Sequence, residues 1–381
     1  MAGSGDWAHE WSRIESTIRG SFRQLRERYL RRPRARNEEQ TLSQGESEQG
    51  TGNTLHKLPA EVQMYIMGLL SPRDLCQLGC VSRYWNAMVH DPLLWRYFLL
   101  RDLPHWDSVD HLSLPDAALL NKSLTENTEH DYMTVYLTSC PEGRKHRRVS
   151  PSAYSSVTSL LYSLVSQTEP RFAMFGPGLE QLDISLVTKM MNSPGMLPVV
   201  SLPQRQIDGI GSGITFLFKN EYKFNILTLY STTWKERESA RLEENVAVNR
   251  LFVEQRGAEG KQGEAARAAY SIIPQVQNVC SVVNGFIYVT NAEGRRRHER
   301  EQEVLQIQAM IDPSLGARSR PLLVLCCISQ PGVQRIPCVY VAHQLHLGQL
   351  DRAWLAHDTD AFSLNGFLDG IEWILREVGT L

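Results

Sequence analysis

The chain has 381 residues, a length that allows two or three folded domains. Its 42% apolar and 22% charged residues are typical of a globular protein with extensive cores. Because 40 Lys and Arg balance 42 Asp and Glu, a globally basic nucleic-acid coat and a polyacidic tail are both excluded.

Neither a membrane segment nor a secretory leader is predicted. The longest aliphatic and cysteine run, 322–328, has 7 residues, whereas a membrane-spanning helix needs about 20. The N-terminal sequence MAGSGDWAHEW lacks an apolar leader stretch, so we expect a cytoplasmic protein, with the nucleus as a second compartment. The 7 cysteines form no CxxC pair, which favours reduced thiols over disulfides or a zinc ribbon. No metal and no cofactor are expected.

Residues 1–54 are predicted to form a basic amphipathic helix followed by a disordered tether. Large apolar side chains recur at helical spacing, on Trp7, Trp11, Ile14, Ile18, Phe22, Leu25 and Tyr29. Eight arginines lie between Arg19 and Arg36. We expect this helix to pack on the rest of the protein or on a second copy; nucleic acid and a membrane are the alternative contacts. From 37 to 54 only Leu42 is large and apolar, which predicts a flexible tether.

Residues 55–102 are predicted to form a run of short helices. Pro59 can open the first helix, because the missing N–H of proline costs nothing at a helix start. Ser71–Pro72 and Asp91–Pro92 repeat a pattern of a capping residue followed by proline, which starts further helices. A unit this small cannot bury all of its large apolar side chains internally, so it is expected to have a partner surface.

This segment resembles an F-box. The matching elements are Leu58–Pro59, Val62, Ile66, Leu70, Ser71–Pro72, Asp74–Leu75, Leu78, Val81–Ser82, Trp85, Asp91–Pro92 and Leu94–Trp95. In that family the motif docks on a Skp-type adaptor, which joins a cullin scaffold and a RING subunit in an SCF ubiquitin ligase. The resemblance therefore implies a helix-in-groove contact, with an unrelated helical hairpin as the alternative. The residues it assigns to the adaptor contact are Leu58, Pro59, Val62, Ile66, Leu70, Pro72, Leu75, Leu78, Val81, Trp85 and Trp95.

Residues 103–170 are predicted to form a helical linker. Apolar periodicity indicates helices over 112–124 and 131–140. The basic stretch 141–152 between them and the next domain is typical of a solvated loop, with a nuclear-import patch as the alternative.

From residue 171 to 381 the pattern predicts an open α/β sheet with helices on both faces. The predicted strands are 171–175, 206–217, 223–230, 286–290, 322–328 and 338–342. The predicted helices follow the first strand and residue 230, and also cover the charged run to 310 and residues 362–378. Residues 255–269 have no large apolar side chain and are predicted to be a loose insertion.

The order of these elements resembles the small GTPase fold, but the nucleotide-binding motifs are missing. A phosphate-binding loop has the spacing GxxxxGK followed by Ser or Thr. Here the loop is GPGLEQLD, in which Pro177 lacks an N–H and Glu180 and Asp183 bring negative charge. STTW stands in place of DxxG, and SQPG in place of NKxD. Nucleotide hydrolysis is therefore not expected, and no other catalytic motif is found.

A substrate-binding surface is predicted at one edge of the sheet. If the strand order follows the GTPase fold, 206–218 and 338–342 are the two edges. The second edge carries no charge, and an unprotected edge favours pairing with an added strand. The residues predicted to bind substrate are Cys338, Val339, Tyr340, Val341 and Ala342.

Together, these features predict a multidomain chain: an all-α F-box module, a helical linker and a GTPase-like α/β domain. The resemblance implies a non-catalytic substrate-recognition subunit of an SCF ligase. Within the F-box-only class, it further implies targets such as a telomere-repeat-binding factor or D-type cyclins, and self-association through the N-terminal region and linker. The rival interpretations are a GTP-binding switch with an appended helical module and a nucleic-acid binder that uses the arginines of 19–36.

Overall fold

The computed structural model describes residue 55 and the ranges 58–121, 130–144, 169–201, 211–232, 249–255, 269–295 and 298–381. The predictions for the basic helix and tether at 1–54, and for most of the helix after residue 230, lie outside the described residues. The chain divides into two compact units. The helical unit includes the described parts of 58–104 and 115–140, and the α/β unit includes 105–114 and the described parts of 141–381.

The described part of the helical unit contains six short helices. They are α1 (Ala60–Leu69), α2 (Pro72–Gly79), α3 (Arg83–Val89), α4 (Pro92–Asp102), α5 (Ala117–Asn121) and α6 (Tyr132–Ser139). The Ser71 hydroxyl accepts a hydrogen bond from the Asp74 N–H at 3.1 Å, and the Asp91 carboxylate accepts one from the Leu93 N–H at 2.9 Å. The predicted helix starts at Ser71–Pro72 and Asp91–Pro92 are therefore confirmed.

The core of this unit is built around Trp95. Its side chain is fully buried, and its indole N–H donates to the Val89 carbonyl at 2.6 Å. The Tyr136 ring of α6 lies 5.5 Å from the Trp95 ring, and the Tyr136 hydroxyl donates to Asp102 at 2.7 Å. A helix predicted as part of the linker thus completes the core of the helical unit.

Among the described residues, the α/β unit contains an eight-stranded mixed sheet and a separate hairpin. The strands are β1 (Ser108–Asp110), β2 (Arg171–Phe175), β3 (Val199–Ser201), β4 (Gly211–Phe218), β5 (Tyr222–Leu229), β6 (Phe252–Gln255), β7 (Ala269–Ile272), β8 (Gly285–Asn291), β9 (Leu322–Ile328) and β10 (Trp354–Asp360). The sheet order is β1-β10-β9-β8-β2-β5-β4-β3, and β6 pairs with β7. The five strands from β10 to β5 are parallel to their neighbours, whereas β1, β3 and β4 pair antiparallel.

Helices cover this sheet and connect its parallel strands. They are α7 (Gly178–Gln181), α8 (Leu186–Met191), α9 (Pro274–Val282), α10 (Arg300–Met310), α11 (Cys338–Gln344) and α12 (Phe367–Glu377). Short 3-10 turns cover Leu103–His105, Pro313–Leu315 and Leu347–Gln349. Every residue of β8 and β9 is buried, so the prediction of a buried strand at 322–328 is confirmed.

Several sequence-based predictions about this unit are wrong. The linker is not purely helical, because residues 108–110 form β1 and pair antiparallel with β10 in the register Val109 to Ala356. Residues 338–342 are not a strand, because they form the start of α11 behind Pro337. The two edges of the described sheet are therefore β1 and β3, and the prediction of an edge at 206–218 is also wrong, because β4 lies between β5 and β3. Strand β10 was not predicted, since its sequence WLAHDTD mixes apolar and ionisable residues.

Candidate interaction surface

The helical unit exposes a set of large apolar side chains on one side of α1. Val62, Tyr65 and Leu69 are 40%, 58% and 68% exposed. Their spacing of three and four residues places them on one face of the helix. An exposed apolar row of this kind is typical of a helix that binds a partner.

Neighbouring segments of the same unit expose further apolar side chains. Leu58 and Pro59 lie exposed just before α1, and Val81 and Tyr84 are exposed at and near the start of α3. The Tyr84 hydroxyl donates a 2.5 Å hydrogen bond to the side chain of Gln63, which ties α3 to α1. We define the docking face as Leu58, Pro59, Val62, Tyr65, Leu69, Val81 and Tyr84.

The predicted adaptor-contact residues separate into two groups. Those that are exposed or half-buried are Leu58, Pro59, Val62, Ile66, Leu70, Pro72, Leu78 and Val81. Leu75, Trp85 and Trp95 are instead at most 2% exposed. The prediction that these three contact a partner directly is wrong, because their side chains form the interior of the helical unit.

Sequence reasoning missed Tyr65 and Tyr84 and left Leu69 out of the contact set. Tyr65 and Leu69 were detectable, because they lie three and seven residues after Val62. Tyr84 was not, since its place on the docking face depends on the packing of α3 beside α1. Tyrosine at such a position supplies apolar area and a hydroxyl together.

The C-terminal end of α1 is held by Arg101 of α4. Its guanidinium donates to the Gly68 carbonyl at 3.0 Å and pairs with Asp102 at 2.5 Å. It also lies over the Phe98 ring, 4.4 Å from the centroid. Burial, together with the hydrogen bond to Asp102, raises the pKa of Tyr136, so that hydroxyl stays protonated and remains a donor. These contacts fasten the end of α1 that carries Leu69 to the core of the helical unit.

In the α/β unit, a cavity of about 500 Å³ opens at the carboxyl ends of β2, β8 and β9. Its lining residues are Asp183, Ile184, Glu293, Arg295, Ser329, Gln330 and Val333. The position matches the crevice where open α/β sheets bind ligands. The nearby Glu180 carboxylate is engaged by the protein itself: it accepts from the Ser231 N–H and hydroxyl at 2.5 and 2.6 Å, and from the Thr232 hydroxyl at 3.1 Å.

The proposed substrate edge at 338–342 is also wrong as a site. Cys338, Val339, Val341 and Ala342 are fully buried, and only Tyr340 is partly accessible. The Cys338 thiol donates to the Trp106 carbonyl at 3.4 Å, and burial raises the pKa of that thiol. This segment anchors α11 in the core and cannot pair with an added strand.

The seven cysteines all lie within the described residues and are free thiols. Nowhere in the described ranges do three or more His, Cys, Asp or Glu residues group as metal ligands would. The same ranges contain no helix with the length and apolar character needed to cross a bilayer.

Comparisons with known proteins find one match to the segment that forms the first helices and several matches to nearly the whole chain. The F-box-like family model matches residues 55–101. The chain is 52% identical to human "F-box only protein 4" over 97% of its length and 94% of the relative. It is 51% identical to the protein of that name from Bos taurus over 97% of the chain and 94% of the relative. The Mus musculus protein of that name is 52% identical over 99% of the chain and 96% of the relative.

Proposed function

Since this chain belongs to the F-box only protein 4 family, we propose that it is the substrate-recognition subunit of an SCF ubiquitin ligase. In this role the docking face binds a Skp-type adaptor, which joins the chain to a cullin scaffold and a RING subunit. The chain itself is non-catalytic and presents a protein substrate for ubiquitination and degradation.

One observation carries this proposal: the exposed apolar face of α1 lies within the segment that matches the F-box-like family. Large apolar side chains that lie exposed in a row are costly in water, and their burial against a groove stabilises a complex. Aromatic and aliphatic anchors such as Tyr65 and Leu69 are the residues that dominate such interfaces.

The α/β unit is proposed to bind the substrate and to resemble a small GTPase without nucleotide chemistry. The order of elements supports the resemblance. Strand β2 is followed by short helices, then by the antiparallel pair β4 and β5, and later by the parallel strands β8, β9 and β10. The engaged Glu180 carboxylate supports the lack of nucleotide binding, because its charge repels a phosphate and its partners already have an acceptor. Targets such as a telomere-repeat-binding factor or D-type cyclins belong to this proposal.

Several wider features are also proposals. Self-association is assigned to the N-terminal region and linker, and the compartment to the cytoplasm and the nucleus. The mechanism is positional: binding adaptor and substrate on one chain raises the effective concentration of a substrate lysine near the ubiquitin-conjugating enzyme. No acid, base or nucleophile of this chain takes part.

Valine-to-aspartate substitutions test the adaptor contact. Val62→Asp and Val81→Asp place a carboxylate on the docking face, and we expect at least about 30-fold weaker binding to a purified Skp-type adaptor, equivalent to about 2 kcal/mol. Val282→Asp is the matched control, because Val282 is 53% exposed and belongs to the α/β unit. Calorimetric titration measures the affinities, and melting curves verify folding. Equal affinity for all three variants would refute the proposed contact.

The GTP-binding switch makes the opposite prediction for the α/β unit. We expect the purified chain to release no guanine nucleotide on denaturation and to show no heat of binding with GTP and Mg²⁺. Stoichiometric guanine nucleotide in the extract would instead favour the switch.

A further inference from the structure

Gln63 is a buried polar side chain in the first turn of α1. It is 1% exposed, although the neighbouring Val62 lies on the docking face. An amide buried among apolar groups lowers stability unless its donors and acceptor find partners.

All of its hydrogen-bonding groups are used. The amide nitrogen donates to the Leu55 carbonyl at 2.9 Å and to the Leu58 carbonyl at 3.0 Å. The amide oxygen accepts from the Tyr84 hydroxyl at 2.5 Å. Two carbonyls on one side and a hydroxyl on the other fix the orientation of the amide.

These bonds connect the parts of the docking face that are separate in the chain. Leu55 and Leu58 precede α1, and the Leu58 N–H donates a 3.3 Å hydrogen bond to the Leu55 carbonyl. Gln63 binds the same Leu55 carbonyl, and through Tyr84 it reaches α3. The Gln63 side chain therefore connects Leu55 and Leu58, which precede Pro59, with α1 and α3.

We infer that Gln63 is a positioning residue that orders the Leu58–Pro59 segment and Tyr84 for adaptor binding before the adaptor arrives. The inference rests on the proposed function. A segment that is ordered in the free protein does not have to be ordered during association, so the affinity is higher. A leucine of similar size would fill the same space without needing partners, so packing alone gives no reason for an amide here.

The test compares Gln63→Leu and Tyr84→Phe in the full chain with the wild-type protein. For Gln63→Leu we expect a lower melting temperature, because the Leu55 and Leu58 carbonyls and the Tyr84 hydroxyl lose a partner. We also expect faster amide exchange at Leu58 and about tenfold weaker binding to a purified Skp-type adaptor. Tyr84→Phe removes one hydroxyl from a half-exposed ring; we expect about threefold weaker binding with unchanged melting. It provides the readout if Gln63→Leu fails to fold.

The double variant separates positioning from independent contacts. Because both changes break one network, we expect Gln63→Leu with Tyr84→Phe to bind no more weakly than Gln63→Leu alone. Unchanged exchange at Leu58, or unchanged affinity in both single variants, would overturn the inference. If the wild-type chain does not bind the adaptor, the proposed function fails by itself, and exchange at Leu58 still decides whether Gln63 orders the segment.

Discussion

Glu180 shows how one residue can decide the chemistry of a loop. It follows β2, where a nucleotide-binding protein would need donors directed at phosphate. Here its carboxylate takes up the donors of Ser231 and Thr232 instead. The charge was visible in the sequence, but its partners were not, because they lie about fifty residues further along the chain.

Glu180→Ala is expected to destabilise the α/β unit by about 1–3 kcal/mol, since the donors of Ser231 and Thr232 lose their acceptor. Urea denaturation of the full chain measures the change. Gln181→Ala is the control, because Gln181 is the next residue and is exposed. Equal stability of the two variants would mean that the carboxylate contributes nothing.

Asp358 of β10 makes stability depend on pH. Burial raises the pKa of its carboxyl from 3.8 to about 7. Arg335 lies 3.4 Å away, but its guanidinium already donates to the carbonyls of Cys326 and Thr359. The folded protein holds this proton more tightly than the unfolded chain. The group therefore stabilises the fold fully below about pH 4, and this contribution is lost as pH rises through about 7.

Asp358→Asn keeps the side chain neutral at every pH. We expect the variant to match the wild type below about pH 4, where the carboxyl is largely protonated in both states, and to be more stable than the wild type near pH 8. Denaturation curves at the two pH values give the difference. His357 titrates in both proteins, so the comparison isolates Asp358. Parallel pH profiles would show that Asp358 ionises normally in the folded state.

Elements with strong local signals were predicted correctly. The capped starts of α2 and α4 depend on residues within one helical turn, and the buried strand at 322–328 on an unbroken apolar run. The prediction of a strand at 338–342 was wrong because a short apolar run fits both a buried strand and a buried helix. All of these residues except Tyr340 are buried. This pattern fits a helix and not a half-buried strand, in which buried and exposed residues alternate.

The edge strands were beyond local reasoning. β1 has three residues and pairs with β10 far along the chain, so no pattern in its own sequence specifies its partner. The docking face was likewise predictable only in part. The positions along α1 follow from spacing, whereas the burial of Leu75, Trp85 and Trp95 depends on how four helices pack.

Helix α6 is expected to be a stabilising part of the helical unit. Tyr136→Ala removes a buried ring from contact with Trp95 and Phe98, together with a hydrogen bond to Asp102. A loss of about 3–5 kcal/mol is expected for that unit. Leu137→Ala is the control, because Leu137 is 38% exposed on the same helix. Thermal unfolding distinguishes them, and similar curves would place α6 outside the folded core.

At the scale of the whole molecule, near-zero net charge conceals two different units. One is a small helical unit with an exposed apolar face, and the other is a larger α/β unit whose sheet is fully buried at its central strands β8 and β9. The chain alternates between them, because 105–114 belongs to the α/β unit while the described parts of 115–140 belong to the helical unit. The described parts of the predicted linker are therefore divided between both units rather than separate from them.

The proposed function requires one chain to carry both an adaptor-binding unit and a substrate-binding unit. Quantitative affinity capture from cells, comparing wild-type, Val62→Asp and Val282→Asp chains, tests it most directly. We expect Val62→Asp to lose the adaptor, cullin and RING subunits together. Other captured proteins, the candidate substrates, should be retained and should accumulate. Val282→Asp should capture the wild-type set. If Val62→Asp retains the ligase subunits, or if no captured protein accumulates when they are lost, the account is contradicted.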